Sequence, residues 1–280
     1  MYIAQAHLIF NIISTILIIP FVKQSVKLLE KIIPGETNKD LKIENIDNLD
    51  DSLIERFPVA ALAIAKKNTL RMGRNVLENI RLSKQYLLTK EKEVYDEVHE
   101  VEALVNKYDT LLSQYLLKIA NQPTVANHQI QEYYKNYQII KYLEQISDRV
   151  NDLIEFYKMV YEKNGRFSKS ADHDLEEVYL LIEQMIEEAM TIFENSEVEL
   201  LNDLNLKEER LNQLEQICQH NHFERMKQNV CDNSIAVSVI LDVLSHLERI
   251  GDLSLDIANR TFIELKKHET KFLDPTKLEV

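Results

Sequence analysis

The scarcity of helix-interrupting residues constrains the fold of this chain most strongly. Only 4 glycines and 5 prolines occur in 280 residues, whereas sheets and loop-rich folds need glycine wherever the backbone turns through a positive φ. The glycines stand far apart, at Gly35, Gly73, Gly165 and Gly251. Glycine-rich phosphate-binding loops and the nucleophile elbow, which need closely spaced glycines, are therefore absent from the sequence. We predict an all-α protein.

The formal net charge of -13 narrows the classes of partner. Nucleic-acid binding relies on clustered Lys and Arg, so we expect no nucleic-acid partner and regard cations as more natural ligands. The two cysteines, Cys218 and Cys231, have neither a C-x-x-C nor a zinc-ribbon spacing. We interpret them as reduced core residues, which suits a cytoplasmic location for the part of the chain that contains them.

The first 22 residues carry no formally charged side chain, and a helix of that length spans about 33 Å, the thickness of a bilayer's hydrocarbon core. Lys23, Lys27 and Lys31 follow, which by the positive-inside rule places the rest of the chain in the cytoplasm. A signal peptide and a buried soluble helix are the alternatives, but a signal peptide needs a basic start and a cleavage site that are missing here. We predict a transmembrane helix over residues 1–33.

Four polar residues in this segment lie on one helical face, namely His7, Asn11, Ser14 and Thr15. Polar groups at membrane depth normally face other helices, so the pattern is typical of one helix from a larger bundle, and a helix lying on the membrane surface is the alternative. The sequences AQAH at residues 4–7, FN at 10–11 and PF at 20–21 resemble the last transmembrane segment of the sodium/phosphate cotransporter family. This resemblance implies a location in the bacterial plasma membrane. It also implies, as partner, the remainder of a transporter membrane domain that binds phosphate and sodium.

Residues 34–57 are polar and rich in Asp, Glu and Asn, so we predict a linker with at most a short helix. From Pro58 to the end of the chain, at residue 280, we predict a helical domain. Apolar residues recur there with helical period over approximately 59–88, 90–120, 125–161, 171–202, 206–229 and 231–267. The breaks between these segments are short, with one at Asn205, so neighbouring helices should run antiparallel.

The third and sixth segments share a pattern at a constant offset. L-E-x-I-x-D at residues 143–148, followed by Asp152, matches L-E-x-I-x-D at residues 247–252, followed by Asp256, 104 residues later. Glu102 in the second segment and Glu208 in the fifth each precede an Asn by four residues, at an offset of 106 residues. An internal repeat is the economical explanation. It predicts two three-helix bundles, over about 58–162 and 170–267.

Each repeat carries a row of carboxylates at helical spacing i, i+4, i+8. The rows are Glu144, Asp148 and Asp152, then Glu248, Asp252 and Asp256. In the third segment the apolar seam lies about opposite the row, so the row should face outward. Like charges at this spacing repel, and either basic residues of a neighbouring helix or bound metal ions would compensate. A solvated acidic face is the alternative, and Glu102 and Glu208 are candidate further ligands if their helices present the same face.

The sequence LERIGD at residues 247–252 resembles the signature of PhoU proteins, and LEQISD at 143–148 resembles it with Ser147 in place of glycine. RM at 71–72 and HFERM at 222–226 are further local matches. The resemblance spans roughly residues 58–265 and implies two three-helix bundles whose E-x-x-x-D motifs bind multinuclear metal clusters. The metal would be divalent or trivalent, with iron, manganese, zinc and magnesium as candidates.

The match to PhoU proteins is incomplete at four positions. Relatives usually have Asn where Asp152 and Asp256 stand and Asp where Asn106 and Asn212 stand, which leaves the ligand positions open.

The resemblance implies a non-enzymatic regulatory domain that controls phosphate uptake by a sodium-dependent transporter, with a homodimer as a further expectation. An alternative is a membrane-anchored phosphate-signalling adaptor that acts on another transporter or kinase. A ferritin-like oxidase would need Glu-x-x-His on two helices, a motif the sequence lacks. A coiled-coil signalling module would need long heptad runs, which Pro123 and Gly165 interrupt.

Overall fold

The computed structural model describes residues 44–46, 49–123, 127–228 and 234–262, and the regular structure of these residues is α-helical. In chain order the helices are α1 Asp51–Arg56, α2 Pro58–Thr89, α3 Lys92–Ala120, α4 Asn127–Glu162, α5 Lys169–Asn195, α6 Val198–Lys227 and α7 Ser234–Phe262. The predicted all-α class is confirmed. These residues belong to the second of two units of the chain, Lys42–Val280.

Local sequence signals set several helix ends. Asp50 and Ser168 accept hydrogen bonds from backbone N–H groups two or three residues later and so cap α1 and α5. Pro58 occupies the first turn of α2, where its missing N–H costs nothing. Lys90 and Ser196 adopt left-handed backbone conformations that end α2 and α5.

The break predicted at Asn205 is wrong. Helix α5 ends at Asn195, where Ser196 turns with φ 58° and its N–H donates to the Ile192 carbonyl at 2.7 Å. Asn205 instead lies inside α6, where its Nδ2 donates to the Leu201 carbonyl at 2.6 Å. A side chain bonded to the carbonyl four residues earlier lets Asn remain within a helix. The actual turn contains no glycine, so the sequence pattern gives no signal for it.

The helices form two three-helix bundles, as predicted. Helices α2, α3 and α4 pack together, and α5, α6 and α7 pack together. The bundles meet where α4 contacts α7 and where α2 contacts α5, while α3 and α6 contact only helices of their own half. The limits of 58–162 and 170–267 for the two repeats, and of 34–57 for the linker, remain predictions.

Buried hydroxyl groups join the two halves. The Tyr157 and Tyr179 hydroxyls, from α4 and α5, lie 2.8 Å apart, and Ser83 Oγ of α2 lies 3.0 Å from the Tyr179 hydroxyl. All three residues are fully buried. A buried hydroxyl requires a partner, so this chain of hydrogen bonds fixes how the ends of three helices pack.

Two glycines allow helices to approach closely. A Cβ on Gly251 of α7 would lie 2.1 Å from Leu211 Cδ2 of α6, and a Cβ on Gly73 of α2 would lie 2.3 Å from Met190 Cε of α5. Both distances are shorter than non-bonded carbon–carbon contacts in proteins, so a side chain at either position would require its neighbour to move, and these positions favour glycine. In the first repeat Ser147 stands where Gly251 stands in the second, and Asn79 Nδ2 donates to its Oγ at 3.3 Å.

Cys218 is buried and unpaired, as predicted. Burial raises the pKa of its thiol to about 12, so the side chain is a protonated, unreactive core residue at neutral pH. Cys231 lies outside the described residues.

The predicted location in the bacterial plasma membrane is contradicted. Across the residues that the structure describes, no helix is both long enough and apolar enough to cross a membrane. The transmembrane helix predicted over residues 1–33, with His7 and Asn11, lies outside the described residues.

Candidate functional site

The first acidic face combines carboxylates of α3 and α4. We define it as Glu102, Asp109, Glu144, Asp148 and Asp152. Burial raises the pKa of Glu144, and the charges of Asp148, Asp109 and Glu102 raise it further. The α3 residues thus lie near the row on α4, at the groove between the two helices.

Asp148, at the middle of the row on α4, experiences the same environment. Partial burial raises the pKa of its carboxyl, and so do the neighbouring charges of Glu102 and Asp152. Desolvation and like charges both disfavour ionisation. The surroundings of this carboxyl therefore disfavour its ionised form.

The second acidic face is built in the same way from α6 and α7. We define it as Glu208, Glu215, Glu248, Asp252 and Asp256. Burial and the charges of Asp252, Glu215 and Glu208 raise the pKa of Glu248. Burial also raises the pKa of Asp256, against the opposing charge of Arg249. Glu144 and Glu248, which correspond in the two repeats, therefore have similar electrostatic surroundings.

The first row faces outward, as predicted from the helical period. The apolar seam on the opposite side of α4 is fully buried, at Leu143, Ile146, Val150, Leu153 and Tyr157. Asp148 and Asp152 are exposed, and Glu144 is partly buried beside α3. A cation could reach the row from solvent.

Basic residues on the same helices neutralise part of each face. Arg249 Nη1 lies 3.2 Å from Asp252 Oδ2, and Arg149 Nη1 lies 3.8 Å from Asp152 Oδ2. Lys141 Nζ donates to both carboxylate oxygens of Asp109, at 2.7 and 2.8 Å. The Lys141–Asp109 pair joins neighbouring helices, as one of the two alternatives anticipated, whereas the Arg–Asp pairs at i, i+3 were missed by sequence reasoning. These cations are fewer than the carboxylates around them, so each face keeps a negative excess.

Asn side chains organise the acids on α3 and α6. Asn106 Nδ2 donates to Glu102 Oε1 at 2.5 Å, and Asn212 Nδ2 donates to Glu208 Oε1 at 2.6 Å. Each bond leaves the second carboxylate oxygen able to accept from another donor or to bind a cation. The Glu and Asn pairs at the 106-residue offset thus form equivalent contacts in both repeats.

Two further acidic residues were missed by sequence reasoning. Asp109 follows Glu102 by seven residues, and Glu215 follows Glu208 by seven residues. Positions i, i+4 and i+7 share a helical face, and the 106-residue offset relates Asp109 to Glu215. Extending the repeat by one helical turn would have identified both.

Within the described ranges, the structure holds no group of three or more His, Cys, Asp or Glu side chains placed to bind a metal ion. Each face nevertheless concentrates the oxygen donors that hard cations prefer. The assignment of metal ligands remains a prediction for Glu102, Glu144, Asp148, Asp152, Glu208, Glu248, Asp252 and Asp256.

Two three-helix repeats, each with an acidic face between its second and third helices, define a two-repeat helical bundle with paired acidic surfaces. The chain matches the PhoU domain over residues 69–156 and 175–261, more than half of its length. It belongs to the PhoU domain family.

Two solved structures share the fold. PhoU from Pseudomonas aeruginosa superposes with a TM-score of 0.66 at 17% identity, covering 72% of this chain and 95% of the other. The phosphate transport system regulatory protein PhoU from Streptococcus pneumoniae gives a TM-score of 0.64 at 17% identity, covering 74% and 100%.

Curated relatives are longer than this chain. A proposed inorganic phosphate export protein, YjbB, from Escherichia coli K12 is 22% identical over 253 residues, which cover 90% of this chain and 46% of YjbB. YjbB from Salmonella typhimurium is 23% identical over 259 residues with the same coverage. The chain therefore spans about half the length of the curated relatives it matches.

Proposed function

We propose that this chain regulates phosphate transport and that its two acidic faces bind divalent cations. The regulatory role rests on the PhoU family match in both repeats and on the phosphate-related names of its relatives. Cation binding rests on one observation. Carboxylates stand at the same register in both repeats, and at the matched pair Glu144 and Glu248 burial and neighbouring carboxylates raise the pKa.

The proposed partner is a sodium-dependent phosphate transporter, which supplies the phosphate and sodium sites. The resemblance of residues 4–21 to the cotransporter family supports this partner, as does the greater length of the YjbB relatives. A regulatory protein needs no catalytic residues, and we propose no enzymatic activity for the chain.

The proposed cation acts by neutralising repulsion across a groove. Glu102 lies on α3 and Asp148 on α4, and each raises the free energy of the other's charge. A divalent ion between the helices would reverse the sign of that interaction and draw the helices together. Cation occupancy would thereby change the surface that a transporter can contact.

Thermal unfolding of the full chain tests cation binding. A ligand that binds only the folded state stabilises it by about 2.7 kcal/mol at a concentration 100 times Kd. We expect Mn²⁺, Fe²⁺, Zn²⁺ or Mg²⁺ to raise the Tm relative to chelator-treated protein. Asp148→Asn combined with Asp252→Asn should abolish the rise.

A matched control is Asp96→Asn combined with Asp203→Asn, which removes two exposed carboxylates outside the faces and should leave the metal response intact. An unchanged Tm in every metal, with no metal found by elemental analysis of protein purified without chelator, would refute the cation-binding proposal.

A further inference from the structure

A cavity of about 450 Å³ lies where the ends of five helices meet, away from both acidic faces. The ends of α2, α4 and α6 line it together with the starts of α5 and α7. Small-molecule sites in proteins occupy roughly 300–1,000 Å³. The cavity is therefore large enough for an organic molecule.

One wall of the cavity is apolar and aromatic. Leu87, Phe167 and Ile240 line it and are buried, and the Tyr161 ring lies beside them. Tyr161 donates its hydroxyl hydrogen to the Leu87 carbonyl at 2.7 Å, so its ring is held in place. Such a wall suits a planar ring, because aromatic rings stack favourably.

The other wall carries cationic side chains, although the whole chain is strongly acidic. Lys90, Arg166, Lys169 and Arg225 line the cavity. Lys90 Nζ lies 4.7 Å from the centre of the Tyr161 ring, where a cation is attracted to the ring face. This grouping of positive charge contrasts with the formal net charge of -13.

Arg225 supplies the strongest indication of a ligand. Only 9% of the residue is exposed, and its Nη1 donates to Asp174 Oδ2 at 2.6 Å. Its Nε is buried and has no hydrogen-bond partner among the residues described. Arg225 lines the cavity, and the guanidinium N–H groups that Asp174 does not use can donate to an anionic oxygen there.

The charge balance selects the class of anion. Four cationic side chains and the carboxylate of Asp172 line the cavity, and Asp174 pairs with Arg225. His222 adds no charge at neutral pH, because burial and the neighbouring Arg225 lower its pKa. An excess of about two positive charges matches the dianion of a phosphate monoester.

We propose that this cavity binds a small organic phosphate, a phosphate monoester attached to a planar ring. The phosphate accepts hydrogen bonds from Arg225 and pairs with Lys90 and Arg166, while the ring packs against Phe167 and Ile240. The site goes beyond the proposed cation-binding function, since the cavity contains no residue of either acidic face. It would couple the two repeats, because α2 and α4 contribute from one bundle and α5, α6 and α7 from the other.

Calorimetric titration of the full chain tests the proposal with four probes. AMP and 4-nitrophenyl phosphate carry both a ring and a phosphate monoester, inorganic phosphate lacks the ring, and adenosine lacks the phosphate. We expect at least one ring-bearing phosphate to bind at least tenfold more tightly than inorganic phosphate, and adenosine to give no measurable binding.

Variants at exposed positions test the site without loss of folding. Lys90→Asn keeps a residue that tolerates the left-handed φ of 63° found there, and Arg166→Ala removes an exposed charge. Each should weaken ring-bearing phosphate at least tenfold, whereas Lys107→Asn and Arg210→Ala, at exposed positions elsewhere, should not. Circular dichroism checks that each variant is folded.

Three results would overturn the proposal: no binding of either ring-bearing phosphate, equal or tighter binding of inorganic phosphate alone, or undiminished affinity in both cavity variants. Because metal is absent from these titrations and chelator is present, failure here is distinguishable from failure of the cation-binding proposal.

Discussion

Asp148 is a residue whose negative charge destabilises the folded state. Its charge lies near Glu102 of the neighbouring helix and Asp152 of its own, and a like-charged i, i+4 pair such as Asp148 and Asp152 costs about 0.2–0.5 kcal/mol. The residue contributes nothing to the apolar core. The stability of the fold therefore does not explain why this carboxylate stands at the centre of the row.

Removing this charge should stabilise the metal-free protein. We expect Asp148→Asn to raise the free energy of unfolding by about 0.5 kcal/mol at neutral pH. The folded-state pKa of Asp148 is raised, so the folded state binds more protons and the carboxyl destabilises the fold increasingly as pH rises through that pKa. The gain from the substitution should therefore shrink as pH falls through the raised folded-state pKa toward the carboxyl's ordinary value.

Urea unfolding in chelator, at pH values from about 4 to 7, measures the gain. The matched variant Asp203→Asn, at an exposed position on α6, should show no such gain at neutral pH. If Asp148→Asn is instead less stable than the wild type at pH 7, the carboxylate is stabilised by the fold and the repulsion argument is wrong.

Most residues of the acidic faces were predictable from the sequence, whereas many of the tertiary contacts elsewhere in the fold were not. Helical spacing and the 104-residue offset located Asp148 and Asp252 because both signals are local. The contacts of Glu44, in the predicted linker, had no such signal. Its carboxylate pairs with Arg74, and its backbone carbonyl accepts from Asn75 Nδ2 and the Tyr108 hydroxyl at 2.8 and 2.9 Å. Such contacts depend on tertiary packing, which periodicity does not report.

At the scale of helices, the two repeats differ in the residues at corresponding positions of their second and third helices. Gly251 of α7 admits the side chain of Leu211 of α6. At the corresponding positions of the first repeat, Ser147 replaces the glycine and Val105 replaces the leucine. A larger residue on one helix is thus matched by a smaller residue on the other.

This complementarity predicts a coupling between the two positions. Gly251→Ala adds a methyl group against Leu211, and overpacking of this kind costs about 1–3 kcal/mol, more than the roughly 1 kcal/mol that Ala gains over Gly in a helix. Gly251→Ala should therefore destabilise the protein. In a Leu211→Val background, which lacks the δ-methyl groups, the same substitution should be neutral or stabilising.

Denaturant unfolding of the four proteins in this double-mutant cycle measures the coupling energy. Additive effects of the two substitutions would contradict the steric argument.

Helix positions were largely predictable from sequence, and helix contacts were not. The apolar period located α2 and α3 to within two residues of their observed ends, because proline and polar turns flank them. The turn at Ser196 was missed, since a serine in the left-handed conformation carries no distinctive sequence signal. The contacts of α2 with α5 and of α4 with α7 had no local signal either, since they join repeats that are distant in sequence.

At the scale of the whole molecule, the two repeats depend on each other for part of their core. Ion pairs of Arg81 with Glu183 and Glu187, and of Lys84 with Glu183, border the contact of α2 with α5. The hydroxyl pair of Tyr157 and Tyr179 lies within the core nearby. Separating the repeats would break these ion pairs and expose the buried hydroxyl pair to water.

The buried tyrosine pair should therefore shape the alkaline absorbance of the protein. Burial raises the pKa of Tyr179 to about 12, and burial with the nearby Tyr179 raises that of Tyr157. Both folded-state values exceed the ordinary value of about 10, so the stability contributed by these two protonated, buried hydroxyls is complete below pH 10 and is lost as pH rises further.

Tyrosinate absorbance near 295 nm, followed against pH, should show exposed rings ionising first and a later step coincident with loss of helical circular dichroism. Tyr157→Phe should reduce the amplitude of that later step, whereas a smooth titration that precedes any loss of helix would show that the pair is open to hydroxide in the folded protein.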